Sequence, residues 1–326
     1  MNTEVSWEHL EGWQTDYRVM ETVKNGLPPD EQLHFYAWWM QYQEVISWPV
    51  YKKNGFTLVD PRRDTIAEQA TFPVIAGPKE PMGYLATILA RTSPFWPVSK
   101  AQMKNRPHYK DFIVENRWGR ITINGPLLAI VDENVLLALT CIAITTKSNH
   151  IKISLSQLCK LLNKSRGANQ YASITQSLTR LGQVSVVIHA YDQQSDEKKI
   201  TSINFGSILS GNIDQDSTNI DVSLNPYFLN QYLGRLSTSI NLEVRSKLNS
   251  DVAKALHRFI STHQTFEYPF NVKTLCDAIN LNTDQEMKKI RHLLKKAFAE
   301  LKRLEIAEGT FTCDDKVFLK ILHPQA

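Results

Sequence analysis

Hydrophobic positions repeat at helical spacing in two well-separated stretches of the chain. After the helix-start sequence Leu27-Pro28-Pro29-Asp30, apolar residues fall on one face as far as Trp48, which predicts an amphipathic helix of about four turns. Near the C-terminus, apolar residues recur in steps of three and four at Met287, Ile290, Leu294, Ala297, Leu301 and Leu304. This pattern predicts a long helix with one buried face. Residues 50–107 are rich in proline and glycine and lack a sustained period, so we expect irregular, partly linking chain there.

The middle and the end of the chain resemble each other at an offset of 117 residues. Residues 132–142 align with residues 249–259, and valine, alanine and leucine coincide at three inward helical positions. Residues 156–163 align with residues 273–280 and share leucine, cysteine and asparagine. A repeat of this kind indicates one supersecondary unit that is present twice.

Each copy continues with a longer helix and then two strand-like runs around a polar turn. The runs occupy residues 184–188 and 200–205 in the first copy, and residues 307–312 and 317–321 in the second. Helix, helix, helix, hairpin is the order of a winged helix, a variant of the helix-turn-helix. The sequence therefore predicts an α+β fold with tandem duplicated winged-helix domains and a mostly helical or irregular N-terminal extension.

The predicted domains follow the repeat. The first winged helix is expected at residues 108–236 and the second at residues 237–326, joined through residues 213–236. Residues 1–107 form an acidic, tryptophan-rich N-terminal region, since all seven tryptophans lie within the first 118 residues. We expect this region to provide a dimer or partner contact.

The charge of the chain is unevenly distributed. With 326 residues, 42% hydrophobic and 21% charged, the composition excludes a wholly disordered protein. The net charge of +4 combines residues 1–44, where two basic residues face eight acidic ones, with a basic remainder. Residues 147–180 contain no acidic residue, and residues 286–303 carry seven Lys or Arg against two Glu. The two stretches predict contacts with a polyanion such as double-stranded DNA.

The outward faces of the two long helices are the candidate DNA contacts, with arginine, asparagine and glutamine suited to base edges and lysine to phosphates. In the second copy the contacts predicted are Gln285, Lys288, Lys289, Arg291, His292, Lys295 and Lys296. In the first copy they are Lys160, Lys164, Ser165, Arg166, Asn169, Ser173, Gln176 and Arg180. Lys198 and Lys199 lie at the tip of the first hairpin, where a wing touches DNA. The alternative is that these are ordinary solvated helix faces.

Catalytic and metal-binding patterns are missing from the sequence. There is no Gly-x4-Gly-Lys-Ser/Thr loop and no histidine pair at metal-ligand spacing, so we expect no enzymatic activity, cofactor or metal. The four cysteines are far apart and are interpreted as buried thiols.

The longest apolar run is shorter than a membrane span, and the N-terminus lacks a basic signal-peptide start. We therefore expect a cytoplasmic protein without a membrane partner.

Several segments resemble the iteron-binding plasmid replication initiators, most nearly the TrfA/RepA type. They are ARTSPF at residues 90–95, ISLSQLCKLL at 153–162, LTRL at 178–181, KLNSDVAKALHRFISTH at 247–263 and YPF at 268–270. No single segment is diagnostic, but their order and spacing are fairly specific. Residues 1 to about 90 match nothing in that family, and no convincing Gln-Leu-x-Leu-Phe sliding-clamp motif is found.

The resemblance implies a bacterial protein, associated with the nucleoid or a plasmid, that binds repeated origin sites and helps open an adjacent AT-rich duplex. It also implies recruitment of the host initiator protein and replicative helicase by a protein that is not itself an ATPase. The acidic N-terminus is expected to hold a homodimer or a helicase contact, or to fold against the first winged helix. Two alternatives remain open, a winged-helix transcriptional repressor without initiator activity and a protein whose winged helices bind other proteins.

Overall fold

The computed structural model describes the chain with gaps. The described residues are 51–53, 56–58, 81–98, 100–146, 148–191, 200–212, 219–225, 237–312 and 314–322. The helix predicted between Leu33 and Trp48, and the hairpin-tip residues Lys198 and Lys199, lie outside these ranges.

The stretch before residue 107 contains regular structure that the sequence pattern did not reveal. Its elements are β1 (Tyr51–Lys53), β2 (Phe56–Leu58), β3 (Met82–Ala86), α1 (Thr87–Arg91), β4 (Phe95–Trp96) and α2 (Lys100–Lys104). Leu85, Ala90 and Phe95 are completely buried, so the expectation of irregular chain is wrong for residues 82–96. These elements are too short to show a period, and their partners are distant, since Phe95 pairs with Leu128.

The first unit is a mixed α/β body around one central helix. Its elements are β5 (His108–Asn116), β6 (Gly119–Pro126), β7 (Leu128–Ala129), α3 (Ile130–Thr146), β8 (His150–Ser154), α4 (Leu155–Leu161), α5 (Ala168–Gln183), β9 (Ser185–Tyr191), β10 (Ile200–Ser207), β11 (Leu209–Asn212) and β12 (Asn219–Leu224). One sheet has the order β10-β9-β6-β5 and another the order β11-β12-β8. Leu136, Leu137 and Ala138 of α3 are all completely buried, which places this helix inside the core.

The second unit contains the order helix, strand, helix, helix, strand, strand that the first unit has from α3 to β10. Its elements are β13 (Ser237–Asn241), α6 (Leu242–Ser246), α7 (Asp251–Ile260), β14 (Phe270–Asn271), α8 (Val272–Ala278), α9 (Met287–Arg303), β15 (Ala307–Phe311) and β16 (Lys316–Ile321). Its sheet has the order β14-β16-β15. The expectation that residues 213–236 only join the two halves is wrong for Asn219–Leu224, because β12 pairs with both β8 and β11.

Positions related by the offset of 117 residues have matching environments. The pairs that have the same residue type and are buried in both units are Val135 and Val252, Ala138 and Ala255, Leu139 and Leu256, Leu158 and Leu275, and Cys159 and Cys276. Asn163 and Asn280, which follow α4 and α8, both have left-handed backbone conformations, with φ of 50° and 54°. Asparagine tolerates this conformation at the end of a helix better than most residues. The repeated letters therefore specify the same core positions and the same helix ends.

A buried cluster of charges joins the two units to the segment before them. Glu133, in the first turn of α3, accepts a hydrogen bond of 2.8 Å from Arg258 of α7 and lies 3.2 Å from Arg245 of α6. Arg258 also donates to the carbonyl oxygen of Ala90 at the end of α1. All three charged side chains are at most 3% exposed. Because buried charges must remain paired, these contacts hold the segments in one arrangement.

Candidate nucleic-acid interface

Helix α9 presents a continuous basic surface. Its inward residues Ile290, Leu294, Ala297 and Leu301 are completely buried, as the sequence predicts. Met287 is 40% exposed instead, because it is the first residue of the helix. The predicted contacts on the other side that are exposed are Gln285, Lys288, Lys289, His292, Lys295 and Lys296. The outer face of α9, defined by these residues together with Arg291, is called the basic face below.

Arg291 lies on the basic face but differs from its neighbours. Its side chain is 39% exposed and forms an ion pair with Asp315, in the turn between β15 and β16. Lys295 lies on the same side of α9, with its Nζ 5.8 Å from the ring centroid of Phe311. The strand pair that follows α9 therefore touches the basic face at two points.

Helix α5 presents a surface that is polar rather than basic. Ile174, Leu178 and Leu181 are buried, and Tyr171 is half-buried, as predicted. Of the predicted contacts, those that are exposed are Lys160, Ser165, Arg166, Asn169 and Gln176, and those that are half-buried are Lys164 and Ser173. The exposed residues of α4, the α4–α5 turn and α5 form one surface, which we call the amide face.

Arg180 does not belong to the amide face, although the sequence pattern places it outward. Its Nε and Nη2 donate hydrogen bonds of 3.0 and 2.8 Å to one oxygen of Asp132, and its side chain is 16% exposed. Arg106 pairs with the other oxygen of the same carboxylate. Asp132 is completely buried at the start of α3 and cannot remain there without these cations. The outward placement is therefore wrong, and Arg180 anchors α5 to α3.

The N-termini of α5 and α9 differ from those of four other helices. Ser154, Asn241, Ser250 and Asn271 cap α4, α6, α7 and α8 with side-chain oxygens. Gly167 and Glu286, which precede α5 and α9, make no such hydrogen bond, and neither first turn contains an acidic residue. The first backbone N–H groups of α5 thus keep their capacity to bind an anion such as a phosphate, whereas the exposed carboxylate of Glu286 lies at the start of α9.

The two hairpins that follow α5 and α9 cannot be treated alike. The tip of the first, with Lys198 and Lys199, lies outside the described residues. The second has a short turn whose exposed residues Asp314 and Asp315 are acidic. An acidic turn repels DNA phosphates, so this hairpin is unsuited to the phosphate contacts of a wing. Two neighbouring aspartates are visible in the sequence, but their position beside Arg291 depends on the tertiary structure.

Burial shifts the pKa values of several cysteines and histidines in the described part of the core. Burial raises the pKa of Cys276 to about 12, and the thiols of Cys141 and Cys159 are also buried, as expected. Cys313 lies outside the described residues. Burial lowers the pKa of His257 to about 3 and that of His263 to about 4, which leaves both neutral at pH 7. The described part of the chain holds no cluster of three potential metal ligands.

A membrane span is also not found in the described ranges. No helix there is long and apolar enough to cross a bilayer.

Comparison with known proteins finds a family match that begins in β6 of the first unit and ends after α7 of the second. Residues 121–261 match the family model described as initiator replication protein, WH1, which confirms the resemblance found in the sequence. Two solved structures are similar to the chain at low identity. Domains 2 and 3 of RctB share 14% identity with a TM-score of 0.49, covering 72% of this chain and 98% of that one. The Pi initiator protein in complex with iteron DNA shares 12% identity with a TM-score of 0.48, covering 76% and 100%. No curated protein sequence matches the chain.

Proposed function

Because residues 121–261 match the family model described as initiator replication protein, WH1, we propose that the chain initiates replication by binding direct repeats, or iterons, in an origin. In this proposal it binds double-stranded origin DNA in a plasmid or other mobile element of a bacterial cytoplasm. It then promotes opening of the adjacent duplex and recruits the host initiator protein and replicative helicase.

The observation that carries the proposal is the pair of corresponding helices, each with an exposed polar or basic outer face and an N-terminus without a side-chain cap. In the proposal, two tandem winged-helix domains, at residues 108–236 and 237–326, each contribute one of these helices. A recognition helix inserts its N-terminal half into the major groove, and two such helices in tandem would read neighbouring grooves about one helical turn apart. The matched environments at the 117-residue offset support a duplication.

The two faces are suited to different contacts. Lysines of the basic face replace counterions at phosphates and supply affinity. On the amide face, Asn169 and Gln176 have the donor and acceptor pair that adenine requires, and Arg166 suits guanine. Lys160 and Lys164, at the end of α4 and in the turn after it, are placed for phosphates beside the N-terminus of α5. Lys198 and Lys199 remain proposed wing contacts, and residues 1–107 a proposed dimer or helicase contact.

The first test removes charge from the basic face. Lys288, Lys289, Lys295 and Lys296 are replaced together by Ala, and binding to the DNA that flanks the gene is measured over a range of salt concentrations. Each lost phosphate contact lowers the magnitude of the log-log salt slope by roughly 0.9, so the loss of four contacts should lower it by about 3.6. Replacing four exposed lysines that lie outside the basic face, Lys104, Lys110, Lys273 and Lys320, is the matched control, expected to change the slope little.

Footprinting on the same DNA should reveal protected direct repeats. Salt-sensitive coating without a preferred site would contradict the proposal. An unchanged salt slope in the quadruple variant would favour the alternative in which the units bind proteins.

A transcriptional repressor of the same architecture would also protect specific sites. Deleting the gene from a small replicon distinguishes the two functions. Loss of replication is expected for an initiator, whereas loss of promoter repression alone would contradict the proposal.

A further inference from the structure

One acidic side chain lies against the otherwise basic face of α9. Asp315 Oδ1 pairs with Arg291 Nη2, although both side chains reach solvent. Arg291 is the fifth residue of α9, three residues after Lys288 and four before Lys295, so the three share one stripe of the helix. The acid therefore holds an arginine within the N-terminal half of the helix, which is the part that reaches base edges.

The backbone around Asp315 is fixed before any ligand binds. Asp315 has a left-handed conformation, with φ of 54°, and its carbonyl oxygen accepts a 3.0 Å hydrogen bond from the N–H of Val272 at the start of α8. The N–H of Thr312 donates to Lys316 O at 2.9 Å and closes the turn. The carboxylate is thus presented to α9 from a backbone that is tied to two other elements.

The contact with Asp315 bears on whether Arg291 binds a guanine base or a backbone phosphate. A guanidinium has five donors in a planar fork, so one that is held by a carboxylate keeps donors for the O6 and N7 of guanine. Holding it in place also reduces the rotamer entropy lost on binding. A phosphate oxygen at the same point would meet the negative charge of Asp315. The pair therefore favours a base contact over a backbone contact.

We propose that Asp315 determines specificity by positioning Arg291 for bidentate contact with one guanine in the major groove. The inference rests on the proposed function, in which α9 binds DNA, and adds a residue that does not itself touch the bases. In this role Asp315 lowers binding to non-cognate DNA while supporting binding to the cognate site.

The test compares Asp315→Asn with Asp314→Asn in the full-length chain. Asparagine tolerates the left-handed conformation, so the turn is retained, and both variants remove one negative charge from the same turn. Base preferences are read from a randomised duplex library, and affinity for the selected site is compared with that for an unselected duplex at fixed salt. Thermal unfolding of both variants checks that the fold is intact.

Asp315→Asn should lower the ratio of specific to non-specific affinity about tenfold and relax the preference at one base pair. Asp314→Asn should raise non-specific binding slightly and leave every base preference unchanged. When Arg291→Ala is already present, Asp315→Asn should cause no further change in preference, because the two residues act together.

Equal base preferences for Asp315→Asn and the wild type would overturn the inference and leave the proposed function intact. So would an effect of Asp315→Asn that persists without Arg291. A wild-type protein that selects no sequence from the library would overturn the proposed function, and this inference with it.

Discussion

Helices α5 and α9 occupy corresponding places in the two units, yet different chemistry anchors them. In the first unit, Arg180 of α5 reaches the completely buried Asp132 at the start of α3. In the second, Glu300 of α9 accepts hydrogen bonds from the N–H groups of Asn249 and Ser250 at the start of α7. In the first unit the long helix contributes a cation to the anchor, Arg180. In the second unit the long helix contributes an anion, Glu300.

The opposite charges of the two anchors accompany a difference in charge between the outer faces of α5 and α9. Arg180 is drawn inward in the first unit, so the amide face exposes two cations, Lys160 and Arg166, whereas the basic face exposes four lysines. We infer that the first copy uses mainly amide side chains at the bases, whereas the second combines phosphate-binding lysines with the base contact proposed for Arg291. The experiments below challenge this contrast in order of decreasing effect.

The largest effect is expected where the anchor is a buried ion pair. Asp132→Asn leaves the guanidinium groups of Arg106 and Arg180 without their carboxylate and should lower the free energy of unfolding by about 3 kcal/mol. Urea denaturation measures this change. Asp221→Asn, which alters an exposed carboxylate in contact with His150 and Lys152, is the control and should leave stability almost unchanged. A small effect of Asp132→Asn would show that packing alone anchors α5.

The two units should also differ in their response to pH. His257 of α7 corresponds by the 117-residue offset to Thr140 of α3, which does not titrate in this range. Because burial lowers the pKa of His257 to about 3, the unfolded state binds the proton first as the pH falls. Stability should therefore decrease below about pH 6.5, by up to about 1.4 kcal/mol per pH unit for one histidine.

Urea titrations of the wild type and of His257→Gln between about pH 7 and pH 4 test this expectation. The variant should show a shallower decline, with His263 accounting for part of what remains, since its pKa is lowered to about 4. The change in unfolding free energy per pH unit can be compared between the two proteins even if the substitution shifts the overall stability. Identical slopes would place the pH dependence elsewhere in the molecule.

The smallest effect is expected at the anchor of the second unit. Glu300→Gln keeps an oxygen near the N–H groups of Asn249 and Ser250 but removes its charge, so the loss should be about 1 kcal/mol, the size of a helix cap. The midpoint of urea denaturation measures it, with the exposed Glu267→Gln as control. A loss as large as that of Asp132→Asn would remove the contrast between the anchors.

Much of the fold follows from local pattern. The spacing of Ile290, Leu294, Ala297 and Leu301 predicts α9, and the repeat predicts matched core positions such as Cys159 and Cys276. The strand pairs after both long helices were also expected. These features depend on residues close to one another in sequence, where a period of 3.6 or 2 can be read directly.

The short strands before residue 107 could not be predicted from local pattern, because they pair with strands that are distant in sequence. Strand β3 gains its hydrogen bonds from β13, more than 150 residues later, as the pairing of Leu85 with Thr238 shows. Strand β12 likewise pairs with β8, although its residues lie in a stretch that looked like a connection. Neither β3 nor β12 belongs to a predicted hairpin after a long helix, so neighbouring residues give no indication of its partner.

For the candidate interface, the sequence by itself determined which helices carry cations and amides outward, since helical spacing fixes the face on which a residue lies. Only the tertiary structure decided which of those side chains remain available. Arg180 turns toward Asp132 and Arg291 is held by Asp315, while Lys288 and Lys295 stay exposed. The physical reason is that a charge responds to the nearest opposite charge in space, and the carboxylates concerned come from elements that the helix pattern does not include.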